Sequence, residues 1–412
     1  MALDPEKLKK QRQERARQRQ AQQKSMKIKL IIAGVVVLLC GVLILVLAGS
    51  GKGKTDAPQE QTTGSAIAPE SQTVITLTVA GDLNVTEAAV NAGGVTYDYT
   101  QAFLDVAHLL ADGDITALNL EGNLCGLPYG TDRSAPLTMM AALKKAGVDL
   151  IQLANSYSIY KGMEGLKSTI SGVQEVGMTP LGVYADAAAA KNGGGYTICQ
   201  VQGVKIAFVA FTKGMDGMAL PAGNEGCVNV LYKDYSTDYQ SVDREGISKV
   251  LDNVAKEEPD LTVALLHWGS EYNDTVSKTQ QSICTLMQEK GVDAIIGTHS
   301  HYVQKMEFNR ETGAFIAYSL GDFFGDASRA GSEYSVILDL EITKDNATGM
   351  TKITNYSYTP IFTVVEEDKP LRILRIAEAM QAFEEGYLER VSQGTYDAMA
   401  YALKRIEARI NG

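Results

Sequence analysis

Three of the four histidines in this sequence stand at the ends of short apolar runs. His267 follows "TVALL", and His299 and His301 follow "AIIGT". Neutral imidazole is the commonest protein ligand for transition metals. Since strand side chains repeat every second residue, the spacing of the last two predicts that both rings lie on one side of an extended segment. A hydrogen-bonded loop histidine is the alternative for each of them alone, but the clustering favours a metal site. His108, in the helical segment "FLDVAHLLADG", is not expected to join it.

Acidic and amide side chains end three further apolar runs. Asp82 follows "TLTVAG", Glu121 follows "TALNL" and Asn155 follows "LIQLA". Because binding sites in open α/β sheets collect at the carboxyl ends of the strands, we expect these three residues and the histidines to converge on one cleft. Carboxylates, an amide oxygen and imidazoles suit one or two ions of Mn²⁺, Zn²⁺ or Fe²⁺, whereas Mg²⁺ favours more oxygen. The alternative for a strand-terminal Asp or Asn is a helix cap or a turn former.

Apolar runs and amphipathic segments alternate through the first two thirds of the chain that follows residue 73. The runs predict buried strands at residues 74–80, 115–120, 150–154, 205–211, 261–266 and 294–297. Helical apolar spacing predicts helices at residues 136–146, 165–176, 243–256 and 279–290. Alternation of this kind indicates an α/β fold with a largely parallel sheet covered by helices.

The remaining segments predict a hairpin, an antiparallel section and a helical end. The segment "GGGYTICQVQGVKIAFVAFT" is typical of a hairpin that turns at Gln202-Gly203. Residues 314–320, 335–342 and 353–365 have no helices between them and indicate an antiparallel section. Residues 371–410 predict one or two amphipathic helices, broken near Gly394, that pack on the domain as a cap.

The N-terminal segment predicts a single membrane span. Residues 1–29 carry ten Lys/Arg and three acids, a net of +7, and residues 30–49 form a 20-residue run without a charge. Such a run is long enough to cross a bilayer as a helix. A cleaved signal peptide is the alternative, but the apolar run is too long and the basic segment too extended for one. The basic flank should stay in the cytoplasm, which places the bulk of the chain outside the cell. Residues 50–73 are small, polar and punctuated by Pro and Gly, as in a flexible linker.

The charge and the cysteines limit the classes of partner and of cross-link. The chain has a net charge of −11, so removal of the +7 segment leaves −18 on the remainder. An acidic exported part argues against nucleic acid as a partner. Cys40 lies in the apolar run, and Cys125, Cys199, Cys227 and Cys284 show no C-x-x-C spacing. These four form either disulfides or isolated buried thiols, and the sequence alone assigns no pairs.

Six motifs occur in an order that resembles the bacterial capsule-synthesis family associated with poly-γ-glutamate biosynthesis, the CapA type. They are "AGDLN", "DITALNLEGNL", "LANS…GMEGLKSTI", "HWGSEY", "GVDAIIGTHSHYVQKME" and "YSLGDFF". The resemblance covers about residues 74–330, and the family is similar in fold and motif order to calcineurin-like metallophosphatases. It implies a layered α-β-β-α metallophosphatase-like sandwich over residues 74–366, preceded by the transmembrane helix and followed by a helical cap over residues 367–412.

The resemblance also implies a metal site, whose ligands can be carried over residue by residue. The six implied ligands are Asp82, Glu121, Asn155, His267, His299 and His301. Glu121 would be the bridging carboxylate, and Asn155 would bind through its side-chain oxygen. Four further residues are expected to lie behind the ligands and to hold them in place: Asn84, Asn119, Glu271 and Asp322.

The chain departs from the family pattern at the position of a catalytic histidine. The family usually has "NNH" followed by "xxDxG", whereas this chain has "NSYSIYKG", so that Tyr157 replaces the histidine and Tyr160 the aspartate. Tyrosine has an unperturbed pKa near 10 and is a poorly matched general acid at neutral pH. A milder change is Asp322, where the family usually has asparagine in "YSLGN". Tyr157 is the candidate catalytic residue because it occupies the position of the family histidine. Since a tyrosine is a poor acid there, the sequence leaves open whether the protein is an enzyme.

Three functions compete at this point. The first is an anchored extracellular protein of capsule or poly-γ-glutamate synthesis or export, a metal-dependent hydrolase or transferase that works beside a membrane synthase complex. The second is a non-catalytic module of the same fold that binds the polymer or a partner. The third is a surface phosphoesterase with an unrelated substrate. The −18 charge makes unaided binding of a polyanion unfavourable, so a bound metal would have to supply the positive field.

Overall fold

The computed structural model describes residues 71–412 except residues 326, 328, 367–368 and 388–390. The predicted cytoplasmic segment, the apolar run at residues 30–49 and nearly all of the predicted linker lie outside the described residues. Within the part of the chain that is described, no helix is long and apolar enough to span a bilayer.

Fourteen strands within the described residues build two sheets. They are β1 (Gln72–Asn84), β2 (Ile115–Glu121), β3 (Leu150–Gln152), β4 (Thr179–Leu181), β5 (Tyr196–Val201), β6 (Val204–Thr212), β7 (Leu261–His267), β8 (Ala294–Thr298), β9 (Met306–Asn309), β10 (Ala314–Ala317), β11 (Asp322–Phe324), β12 (Tyr334–Asp345), β13 (Thr351–Val364) and β14 (Arg372–Arg375). Ten α-helices connect and cover them. These are α1 (Glu87–Asn91), α2 (Thr100–Phe103), α3 (Ala107–Ala111), α4 (Leu137–Lys145), α5 (Gly162–Glu175), α6 (Ala187–Gly193), α7 (Arg244–Lys256), α8 (Lys278–Glu289), α9 (Ile376–Glu384) and α10 (Gln393–Asn411).

Both sheets mix parallel and antiparallel pairs. The first has the order β14-β13-β12-β1-β2-β3-β4, with β11 paired to β1, and the second has the order β5-β6-β7-β8-β10-β9. Strands β1 to β4 pair in parallel, as do β6, β7 and β8, while β12, β13 and β14 pair antiparallel. The predicted α/β fold with a parallel core and an antiparallel section is therefore confirmed, and the parallel strands are divided between two sheets, as the implied α-β-β-α sandwich requires.

The layers follow from the alternation of side chains along each strand. Leu77 and Val79 of β1 belong to an apolar core between the two sheets, together with Phe208 of β6. Leu118 and Leu120 of β2 point to the other face and pack in a core with helices α1 to α5. A third core joins the outer face of the second sheet to α7 and α8. The order of layers is α-β-β-α.

Two predicted elements differ from the structure. The run at residues 314–320 was expected in the antiparallel section, but β10 pairs in parallel with β8 in the second sheet, because residues 306–313 form a separate strand and turn that bring it back. Residues 372–375 were expected to be helical and instead form β14, which extends the first sheet along β13. The predicted helix break near Gly394 lies earlier, since that glycine is in the first turn of α10.

The structure also contains the predicted hairpin and shows the state of the cysteines. Gln202 and Gly203 connect β5 to β6 with φ values of 47° and 79°, the left-handed pair that a two-residue hairpin turn requires. All four cysteines of the described residues are free thiols: Cys227 and Cys284 are buried, and Cys125 and Cys199 are partly buried. Of the two alternatives for the cysteines, the structure has the unpaired thiols.

Candidate metal centre

The predicted ligands lie where parallel strands of both sheets end. Asp82 lies two residues before the end of β1, and Glu121 ends β2 of the same sheet. His267 ends β7, and His299 and His301 follow β8 of the second sheet. All five side chains are buried. Together with Asp322 they form two adjacent groups of three donors instead of one, and each group combines residues contributed by both sheets.

The first group consists of Glu121, His267 and His299, whose donor atoms lie within 4.8 Å of one another. The Nε2 atom of His267 is 2.8 Å from Oε1 of Glu121, and the ring centroids of His267 and His299 are 4.4 Å apart. The Ser156 hydroxyl lies 3.1 Å from the same Nε2 atom. One carboxylate and two imidazoles therefore face a common point.

His299 has an unusual environment for a buried polar side chain. Neither of its ring nitrogens has a hydrogen-bond partner among the described residues, although the residue is only 3% exposed. Its backbone is in the left-handed region, with φ of 88°, and its N–H donates to Oδ2 of Asp82 at 2.8 Å. Buried polar atoms are normally paired, so the unpartnered imidazole indicates a ligand that the protein atoms do not supply.

The second group consists of Asp82, His301 and Asp322. Nδ1 of His301 lies 2.8 Å from Oδ1 of Asp322 and 3.5 Å from the Asn84 amide nitrogen. Asp82 and Asp322 are in register on β1 and β11. The close approach of these strands requires Gly81, because a Cβ there would lie 1.9 Å from the backbone oxygen of residue 321.

Asp322 was predicted only to support the ligands, yet the structure brings it into the second group as a donor. A signal for this is present in the sequence. Gly-Asp ends an apolar run twice, at Gly81-Asp82 and at Gly321-Asp322. Asp82 and Asp322 are register partners on β1 and β11, so the second Gly-Asp lies beside the first in the structure.

The geometry of the His-x-His pair differs from the prediction. Strand β8 ends at Thr298, and both histidines have positive φ values, 88° for His299 and 58° for His301. The two-residue period of an extended strand does not apply to such a turn, and the rings, with centroids 6.3 Å apart, enter different groups. The expectation of an extended segment was therefore wrong, although both histidines lie in the predicted region.

Asn119 connects the two groups. Its amide nitrogen donates to Oδ1 of Asp82 at 2.6 Å and lies 3.4 Å from Nδ1 of His267. The distance between Asp82 Oδ1 and His267 Nδ1 is 3.9 Å. Asn119 was predicted to hold the ligands in place, and its contacts are of that kind. Glu271, predicted for the same role, is exposed instead of packed behind them.

Asn155 and Tyr157 lie next to the first group. The Asn155 oxygen accepts a hydrogen bond from the Tyr157 N–H at 2.9 Å, and its amide nitrogen donates to the Leu120 carbonyl at 2.6 Å. These are the contacts of a turn former, so its role as a metal ligand stays a prediction. The Tyr157 ring packs against Tyr160, with centroids 5.8 Å apart. His108 is exposed on α3 and stays away from the site, as expected.

Burial shifts the carboxylic acids of the site towards their neutral forms. It raises the pKa of Asp82 to about 7, with a further contribution from the charge of Glu121. It raises the pKa of Asp322 to about 6, although the neighbouring His301 opposes the shift. The pKa of Glu121 is also raised by burial. Three buried acids thus lack enough positive charge around them to be ionised as readily as in water.

The imidazoles divide into two kinds. Burial lowers the pKa of His267 to about 4 and holds that of His299 well below its usual range, so both rings are neutral at pH 7. Burial acts in the same direction on His301, but the Asp322 carboxylate outweighs it and raises its pKa to about 10. Neutral imidazoles beside carboxylates that lack a counter-charge are a donor set suited to a divalent metal such as Mn²⁺, Zn²⁺ or Fe²⁺.

Comparison with known proteins agrees with this description. A family model described as bacterial capsule synthesis protein PGA_cap matches residues 76–327. The chain is 26% identical over 321 residues to the capsule biosynthesis protein CapA of Bacillus anthracis, an alignment that covers 73% of this chain and 72% of that protein. It is 26% identical over 212 residues to the PGA biosynthesis protein CapA of Bacillus subtilis (strain 168), covering 52% of this chain and 51% of the relative.

A solved structure, that of the calcineurin-like phosphoesterase YfkN from Bacillus subtilis, is similar with 16% identity and a TM-score of 0.42, over 82% of this chain and 97% of that chain. The family model spans more than half of the residues of the chain. This protein belongs to the bacterial capsule synthesis family PGA_cap.

Proposed function

We propose that this protein acts in the synthesis or export of a capsule or poly-γ-glutamate polymer, through a divalent metal site formed by the two donor groups. The observation that carries the proposal is the His299 imidazole, which is buried without a partner beside Glu121 and His267. The biological setting rests on membership of the family and on the relatives named for capsule and PGA biosynthesis.

The donor atoms support one or two ions. Glu121, His267 and His299 offer one set of three, and Asp82, His301 and Asp322 offer a second. Neutral imidazole lone pairs on the first set need no deprotonation at pH 7, because burial keeps the pKa values of both histidines low. The mixture of nitrogen and oxygen donors favours Mn²⁺, Zn²⁺ or Fe²⁺ over Mg²⁺.

The reaction class proposed for such a site is hydrolysis or transfer of a phosphate ester. The two donor groups would hold a divalent ion, which would supply a Lewis acid for a phosphoryl oxygen and lower the pKa of a bound water. The protein's own residues orient the donors: Asn119 holds the Asp82 carboxylate at 2.6 Å, and the Asp82 carboxylate holds the His299 N–H at 2.8 Å. Donors fixed in this way need little rearrangement during a reaction, which is the source of electrostatic stabilisation in enzymes.

A second candidate function is binding without catalysis, in which the same module holds the polymer or a partner protein. The observation in its favour is Tyr157, which stands where the family usually has histidine. Burial raises the pKa of Tyr157 to about 12, and the nearby Glu121 charge adds to the shift. A phenol with this pKa is a weak proton donor to a leaving group at neutral pH. The third candidate, a phosphoesterase with an unrelated surface substrate, uses the same site.

The proposed location is the cell membrane, with the N-terminus in the cytoplasm, one span at residues 30–49 and the remaining chain outside. It is supported by the +7 charge of residues 1–29, which precede the uncharged run. Protease added to intact protoplasts should digest the part of the chain after residue 50. Complete protection of that part would contradict the proposed orientation.

Metal content and activity test the proposed site. The full chain, purified in mild detergent, should contain one or two equivalents of Mn, Zn or Fe by elemental analysis and should hydrolyse p-nitrophenyl phosphate in a reaction that a chelator stops. The His299→Ala variant should lose metal and activity together, whereas His108→Ala, at an exposed histidine, should keep both. Bound metal without turnover would favour the binding function, and a wild-type protein that binds none of these ions would contradict the proposal.

A further inference from the structure

An arginine lies over the ring of the tyrosine that replaces the family histidine. The guanidinium carbon of Arg133 is 4.4 Å from the centroid of the Tyr157 ring. A cation placed over a tyrosine ring in this way is attracted by the negative face of the aromatic system. The phenol therefore serves as a platform for a permanent positive charge, and this role requires no proton transfer from Tyr157.

The Arg133 guanidinium has no other partner among the described residues. None of their carboxylates lies within 4.0 Å of it, and its N–H groups donate no hydrogen bond to them. The adjacent acid, Asp132, pairs with Lys161 at 2.6 Å. The Lys213 ammonium donates to the Gly269 carbonyl at 2.9 Å. Since none of its N–H groups donates to a described acceptor, all of them are available to bind an oxyanion in a fork.

The backbone fixes Arg133 relative to the first donor group. Asp132 and Arg133 both have left-handed φ values, 52° and 55°. The Arg133 carbonyl accepts from the Asn123 N–H at 2.8 Å, and the Asn123 carbonyl accepts from the Ala135 N–H at 2.8 Å. Asn123 follows Glu121 by two residues. Strained conformations of this kind persist where the surrounding structure holds them, and they are concentrated at binding and active sites.

Tyr157 connects the arginine to the same group from the other side. It follows Ser156, whose hydroxyl lies 3.1 Å from His267 Nε2. The charge of Arg133 also acts on Glu121, whose pKa it lowers against the larger, raising effect of burial. Arg133 and Tyr157 thus lie near Glu121 of the Glu121–His267–His299 group.

We infer that Arg133, stacked on Tyr157, binds a phosphate oxyanion of the substrate and positions it against the Glu121–His267–His299 group. The inference rests on the proposed function and specifies it, because it assigns a phosphate-bearing ligand to the site. An oxyanion held by a planar fork is oriented as well as attracted, and an arginine provides this better than a lysine. Tyr157, in place of the family histidine, then removes a titratable imidazole from the site. It provides instead an aromatic ring that supports the Arg133 guanidinium, which cannot lose its proton.

Binding of inorganic phosphate to the full chain in mild detergent tests this assignment by calorimetry, with and without Mn²⁺. Arg133→Gln should weaken phosphate binding by about 10- to 100-fold, the usual range for one charge-assisted hydrogen-bonding group. Arg133→Lys should recover only part of the loss. The matched control is Arg310→Gln, because Arg310 lies over the Phe308 ring at 5.5 Å after β9, at the opposite end of the second sheet. This control should bind phosphate like the wild type.

Two further readouts separate a binding role from a structural one. Glycine adopts left-handed φ without strain, so Arg133→Gly should fold, and added guanidinium ion should restore part of its phosphate affinity. The metal content of all variants should equal that of the wild type. Equal phosphate affinity of Arg133→Gln and the wild type would overturn the inference, as would an Arg133-dependent preference for tetraglutamate over phosphate. If the wild type binds no metal, the proposed function fails, whereas Arg133-dependent phosphate binding by that metal-free protein still supports the inference.

Discussion

We expect the substitution His299→Phe to change stability in opposite directions in the absence and presence of a divalent metal. Both ring nitrogens of His299 are buried and have no hydrogen-bond partner in the described part of the chain. The φ value of 88° penalises phenylalanine somewhat more than histidine, but neither residue is branched at Cβ, so the variant can keep this backbone conformation. The ring contact with His267, at 4.4 Å between centroids, can be kept by a phenyl ring.

The magnitudes follow from these contacts. A buried polar group without a partner costs about 1–3 kcal/mol, so the metal-free variant should gain about 1–3 kcal/mol in free energy of unfolding over the metal-free wild type. A ligand that binds only the folded state stabilises it by about 2.7 kcal/mol at 100 times its dissociation constant. The wild type should gain this amount from metal. The variant should gain much less, because one of the three donors in the Glu121–His267–His299 group is missing.

The assay is urea denaturation of the full chain in mild detergent, with EDTA or with saturating Mn²⁺. The order of stability of wild type and variant should reverse between the two conditions. His108→Phe is the control, since His108 is exposed on α3, and it should leave the wild-type response to metal unchanged. A His299→Phe protein that is less stable than the wild type in EDTA would refute the reasoning, because the imidazole would then stabilise the fold without a metal.

Three further predictions use the same structure. Metal affinity should fall as pH is lowered from 8 to 5.5, because the pKa values of Asp82, about 7, and Asp322, about 6, are raised and protons compete with the ion for these carboxylates. Calorimetry in buffers of different ionisation enthalpy measures the protons that metal binding releases. A metal affinity that does not change with pH would contradict this prediction. Asp322→Asn should lower the pKa of His301 from about 10 towards its ordinary value in an NMR titration of metal-free protein. Cys227 and Cys284 should react with a thiol reagent only after unfolding, and a disulfide found by mass spectrometry would contradict the free thiols.

Strand ends were the part of the site that the sequence could predict. Apolar runs gave β2, β7 and β8 to within one residue, and Glu121, His267 and His299 lie at their ends. The extent of a strand and the face of the sheet to which each of its side chains points are local properties, so they can be predicted from a single sequence. The order of strands is a property of the whole chain, and the division of the parallel strands into two sheets was therefore not visible in the pattern.

The sequence could not predict which donors group together, because this too depends on the arrangement of the whole chain. Whether His301 joins His299 or Asp322 depends on the left-handed turn after β8 and on the contact between β1 and β11, which lie far apart in sequence. The stacking of Arg133 on Tyr157 depends on a bridge between Asn123 and Ser134. Composition and spacing identified the residue types correctly, but the pairing required the positions of loops that no periodicity describes.

Each donor group takes its residues from both sheets, and this has a consequence for the stability of the protein at its proposed location outside the cell. Glu121 and Asp82 belong to the first sheet, while His267, His299 and His301 belong to the second, so an ion in either group ties one sheet to the other at their shared edge. With the proposed metal bound, metal–ligand bonds would join the two sheets. The fraction of protein molecules that have these bonds would follow the metal concentration of the surroundings. At the proposed extracellular location, resistance to proteases should then rise and fall with metal supply, so that metal starvation would shorten the lifetime of the protein.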